Sequence, residues 1–91
     1  MAGETTAARV RAKLASLEPL ELELIDESHS HVGHAGAAAG GGHYRLRLRS
    51  ARFTGLARVA RHRLVYDALA ELMGREIHAL ALVLLAPDET K

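Results

Sequence analysis

Six histidines stand in this chain of 91 residues, at positions 29, 31, 34, 43, 62 and 78, and no cysteine accompanies them. Imidazole is the commonest metal ligand and titrates near neutral pH, so these residues are where chemistry is to be sought first. His29, His31, His34 and His43 crowd one segment, and its HSHVGH stretch could bring two ring nitrogens to one borderline-soft ion. The spacing H-x-H-x-x-H matches no strong zinc framework, and without thiolates a closed tetrahedral structural site is not expected. The competing reading is a set of solvated histidines with no ligand role. His78 opens an apolar run at the rim of a sheet, where a side chain is rigidly placed; its plainer reading is a packed or hydrogen-bonded histidine. His62 falls in the apolar stripe of a helix and is expected to pack against the sheet.

Arginine offers the second chemistry. Arg58, Arg61 and Arg63, with His62 among them and the turn-like RFTG before them, could form a nucleic-acid-reading helix. Against this, Arg63 precedes Asp67 by one helical turn, the geometry of a surface ion pair. Arg45, Arg47 and Arg49 are similarly expected to answer Glu21 and Glu23 across two strands. The 12 basic and 11 acidic residues leave a formal charge of +1, too balanced for a dedicated nucleic-acid or anionic-membrane binder. One Phe, two Tyr and no Trp supply few flat rings for stacking bases. No enzyme is assembled: there is no nucleophile elbow, and the AGAAAGGG run lacks the Lys and hydroxyl of a phosphate loop. Asp26 and Glu27 read as a turn signal rather than an acid–base pair.

The length fits one α+β domain. Thr5 or Thr6 can cap a first helix over about 5–17, with Ala7, Val10, Leu14 and Leu17 on its apolar face and Pro19 to stop it. Leu20, Leu22 and Leu24 alternate with glutamates in a first strand over about 20–26, and Tyr44, Leu46 and Leu48 alternate with arginines in a second over about 43–49. Antiparallel pairing is expected of these two. Between them, residues 27–42 form a long loop rich in histidine and glycine. A helix over about 55–73, capped by Thr54 and ended by Gly74, is expected to bury Val59, Tyr66, Leu69 and Met73, flanked by Val65 and Leu72. The apolar run Ile77–Leu85 reads as a last strand, central or covered on both sides, with Pro87 closing it. The crossover into it predicts parallel pairing with the second strand. No apolar run approaches the length of about 18 residues needed to cross a bilayer, and the N-terminus lacks a signal-peptide core, so a cytoplasmic location is expected.

LELELIDESH, HYRLRLRSARFTGL, RHRLVYDALAELM and IHALALVLLAPDE, in this order from about Leu20 to Glu89, resemble the BolA family. The resemblance implies a fold like the type II KH domain, a three-stranded sheet with helices on one face, without the GXXG loop that clamps nucleotides. It implies a monothiol glutaredoxin as partner and a [2Fe-2S] cluster shared between the two, with thiolates from the glutaredoxin and glutathione, and none in the isolated domain. The histidine at the start of the last strand falls on His78. The loop ligand maps to His31, with His29 and His34 as alternatives. A second implication of the family is DNA-binding transcriptional regulation of stress response and cell morphology, for which Arg58, Arg61 and Arg63 are the candidate contacts. A third reading is a plain interaction adaptor, in which the glutaredoxin is bound but the loop histidines never touch iron. The free domain is expected to be a monomer or a weak homodimer.

Overall fold

The computed structural model describes residues 5–28 and 42–90. Helix α1 spans Thr6–Leu14 and continues as a 3-10 turn over Ala15–Leu17. Thr5 is its cap, accepting from the Ala8 amide at 3.0 Å, whereas the Thr6 hydroxyl donates to Glu76 at 2.9 Å. Val10, Leu14 and Leu17 are buried, and Glu18 takes a left-handed φ of 51° that turns the chain before Pro19.

Strands β1 (Glu21–Asp26), β2 (Gly42–Arg49) and β3 (Ile77–Leu85) form one sheet in the order β1-β2-β3. β1 runs antiparallel and β3 parallel to β2, as the alternation and the crossover predict. The helices cover the face that carries Tyr44, Leu46 and Leu48. On the open face Arg49 pairs with Glu21 at 3.0 Å and Arg45 with Glu27 at 3.1 Å, so Glu27 replaces Glu23 as the partner of Arg45; Arg47 stands opposite Glu23 in register.

Several expectations are corrected. Leu20 bonds to Arg49 through its backbone, but its side chain is 61% exposed, so the inward alternation starts at Leu22. β3 is an edge strand, not the central one. Its unbroken apolar run has a different origin: Leu80, Leu82 and Leu84 pack on the core, while Ala81, Val83 and Leu85 stand opposite Arg45, Arg47 and Arg49, whose aliphatic stems can cover small apolar neighbours.

The second helix, α2, is shorter than expected, Arg58–Ala68. Ser50, not Thr54, does the capping nearby: it accepts from the Arg52 amide at 3.0 Å to start a 3-10 turn over Ala51–Phe53, and donates to the Leu17 carbonyl at 2.5 Å. That turn buries Phe53, the one Phe. Gly55, at φ 78°, then turns the chain into α2, whose cap position is Ala57. Beyond Ala68 the chain passes through tight turns in which the Leu72 carbonyl accepts from Arg75, Glu76 and Ile77. Gly74, at φ 79°, serves that turn rather than the helix end. The buried stripe is Val65, Leu69 and Leu72; Val59 is 67% exposed and Tyr66 is also exposed, because Arg61 rather than Val59 faces β3.

Candidate functional site at the start of strands β2 and β3

Ile77 is fully buried, and Leu80, Leu82 and Leu84 also pack on the core. Residues 77 and 80 differ by an odd number, so a regular strand could not point both inward. The register resolves the conflict: Gly42 pairs with Ile77 and His43 with Ala79, which leaves His78 as the extra residue of a bulge. Bulges re-aim side chains, and this one leaves His78 exposed beside His43. The two imidazole rings stand 5.2 Å apart between centroids, tilted by 35°.

The backbone around His43 is fixed by the Asp26-Glu27-Ser28 triplet. Asp26 accepts from the Ser28 amide at 2.8 Å, the Ser28 hydroxyl accepts from the His43 amide at 3.0 Å, and the Glu27 amide donates to the His43 carbonyl at 2.7 Å. The adjacent carboxylates are thus a turn, as expected, and the turn holds the histidine end of β2. Gly42 is required by space: a Cβ there would lie 2.5 Å from Tyr44 Cε2 and 2.9 Å from Ser28 Oγ. Burial and the nearby Asp26 raise the Tyr44 hydroxyl above its ordinary pKa.

A nitrogen ligand lies about 2.1 Å from a metal, so two imidazoles on one tetrahedral ion have centroids about 5 Å apart. The His43–His78 pair fits that spacing. Among the described residues no third His, Cys, Asp or Glu joins them. Two imidazoles at this spacing could fill two positions on one tetrahedral metal or iron, as in centres where two histidines ligate a single iron. His31, His29 and His34 lie outside the described residues. His43 is the residue that sequence reasoning passed over; parallel pairing of β2 and β3, which was legible, brings their first residues together and could have found it.

The arginine set divides. Arg58 and Arg63 are exposed. The Arg61 side chain is only 13% exposed and is committed within the fold: it donates to the Leu56 carbonyl at 2.9 Å, the Leu84 carbonyl at 3.2 Å and both Glu89 carboxylate oxygens at 2.5 and 2.9 Å. Its pKa is raised chiefly by the Glu89 hydrogen bond, and that bond lowers Glu89 from 4.5 to about 2. Arg61 is thus a latch for the C-terminal segment, not a free phosphate contact. Among the described residues, no ion pair joins Arg63 to Asp67. His62 is half-buried and lines a groove beside β3.

Similarity to known proteins bears on the fold that carries this site. The family model described as BolA-like protein matches residues 14–89. SufE-like protein 1 (chloroplastic/mitochondrial) of Arabidopsis thaliana is 41% identical over 87 residues, which cover 89% of this chain and 24% of that protein. The DNA-binding transcriptional regulator BolA of Escherichia coli is 43% identical over 75 residues, 81% of this chain and 69% of the relative. The chain thus spans about a quarter of the first relative and about two thirds of the second. BolA1 from Arabidopsis thaliana superposes with a TM-score of 0.82 at 40% identity, covering 99% of this chain and 100% of that one. With the sheet order, the helix-covered face and the motif-bearing segments all accounted for, the chain belongs to the BolA-like family.

Proposed function

We propose that this chain partners a monothiol glutaredoxin and supplies histidine ligands to a [2Fe-2S] cluster shared with it, for cluster assembly, transfer or iron sensing. The observation that carries the reading is the juxtaposition of His43 and His78 at one exposed end of the sheet. His78, re-aimed by the bulge, is the fixed ligand; the second comes from His31, its loop neighbours His29 and His34, or His43. The glutaredoxin cysteine and glutathione supply the thiolates that this Cys-free chain lacks. Histidine in place of thiolate removes negative charge from the cluster and raises its reduction potential. The reading places the complex in the cytoplasm, where reducing conditions keep those thiols available. Among the described residues no helix is long and apolar enough to cross a membrane.

Reconstitution with a monothiol glutaredoxin, glutathione, iron and sulfide tests the proposal. The expected product is a coloured heterodimer, with the chain alone colourless. An isolated chain that retains iron and sulfide stoichiometrically would contradict it. The name of the E. coli relative favours a second reading, DNA binding. With Arg61 latched, that reading rests on Arg58 and Arg63 and requires a steep loss of affinity with salt and on Arg63→Ala.

A further inference from the structure

The far half of β3 floors a groove of about 540 Å³ between the strand and α2, lined among others by Leu56, Arg58, His62, Leu82 and Leu84. Consecutive strand residues 82–85 line it, so the strand backbone faces the opening as well as its side chains. Successive residues of an edge strand send their backbone groups to opposite sides. The Leu85 carbonyl accepts from the Ser50 amide at 3.0 Å on the β2 side, and the Leu84 carbonyl accepts from Arg61 at 3.2 Å on the other. Leu80 and Leu82 therefore turn their N–H and C=O groups outward, where no partner meets them among the described residues.

Such an edge is a template for another strand, and proteins usually blunt it with charge, proline or a cover. From Ala79 to Leu85 this edge has none of the first two. The charge around the groove says what kind of strand fits. Arg58 is exposed at its lip, His62 faces it, and Arg61 already holds a carboxylate there, that of Glu89. Leu56, Leu82 and Leu84 supply aliphatic contacts. No Phe, Tyr or Trp lines the groove among the described residues, which leaves no ring to stack a base and disfavours a nucleic-acid strand.

We propose that this groove receives an extended acidic peptide segment of a partner protein, which adds to β3 as a fourth strand along Leu80 and Leu82 and sets a carboxylate against Arg58. Main-chain bonds to the edge provide the affinity, and the cationic lip selects acidic sequences. The groove lies toward the opposite end of β3 from His78, so the proposal does not depend on the cluster reading.

The test uses the full chain, isotope-labelled for NMR, with a fluorescein-labelled (Glu-Val)3 peptide as the probe. Controls are a (Lys-Val)3 peptide, an N-methylated (Glu-Val)3 peptide that cannot form strand bonds, and a short oligothymidine. The expected result is slowed amide exchange at Leu80 and Leu82 with the acidic peptide, at least about a tenfold weaker affinity with Arg58→Glu or N-methylation, and no change with His78→Ala. Any of four results would overturn it: no binding at millimolar peptide, equal binding of the N-methylated or lysine peptide, preference for the oligothymidine, or protection of Leu80 and Leu82 that grows with protein concentration alone. The last would make a second copy of the chain the occupant.

Discussion

At the scale of single residues, the imidazole at position 78 is exposed and sits on the extra position of a bulge, with the His43 ring beside it. His78→Ala is therefore expected to leave the fold intact while the mixed complex loses most of its visible absorption and circular dichroism. His43→Ala separates the candidates for the second ligand: a spectral change marks His43, and an unchanged spectrum returns the role to the 29–34 segment. Glu89 gives a residue-scale prediction of a different kind. Its carboxyl is held at about 2, below the ordinary 4.5, by the Arg61 hydrogen bond and the Ala86 amide. A depressed acid stabilises the fold fully above about pH 4.5 and loses that contribution as pH falls through about 2. Urea titrations at pH 7 and pH 3 should show Glu89→Gln less stable than the parent at pH 7, with the gap narrowing at pH 3. A constant gap would mean that the carboxylate charge is not what holds the latch. His78 was legible in the sequence because it opens an apolar run; the duty of Arg61 was not, because its partners lie at Leu56, Leu84 and Glu89 and carry no helical spacing.

At the scale of elements, the site is made by a conflict between two periodicities. Ile77 and Leu80 must both face the core, and the bulge that satisfies them leaves His78 outside. Gly42 faces Ile77 across that bulge, with Ser28 and Tyr44 pressed against it. Gly42→Ala is expected to cost about 1–3 kcal/mol by overpacking, read from urea unfolding, and to shift the His43 amide resonance as Ser28 is pushed away. A neutral substitution with an unmoved amide would show that the junction is loose. The succession of helices and strands along the chain was readable from the alternation at Leu22–Leu24 and Tyr44–Leu48 and from the cap at Thr5. The edge position of β3 was not, because an apolar run reads the same whether the strand has neighbours on both sides or on one. The start of α2 was misplaced for a related reason: Thr54 looks like a cap, but Ser50 makes the capping bond to the preceding 3-10 turn.

At the scale of the whole molecule, β3 links two separate ends. His78 stands at its start and the Arg61–Glu89 latch at its finish, about 23 Å apart for seven residues of extended chain. Sites this distant with no shared partner act additively, so Glu89→Gln should leave the spectrum of the mixed complex unchanged even as it weakens the fold. The central claim is that this chain gives iron its nitrogen ligands while another molecule gives the sulfur. It is tested most directly by pulsed electron paramagnetic resonance on the reduced mixed complex, with nitrogen-15 histidine in this chain only. The account predicts nitrogen-15 couplings from this chain, of which one disappears with His78→Ala; a reduced cluster with no nitrogen-15 coupling would contradict it.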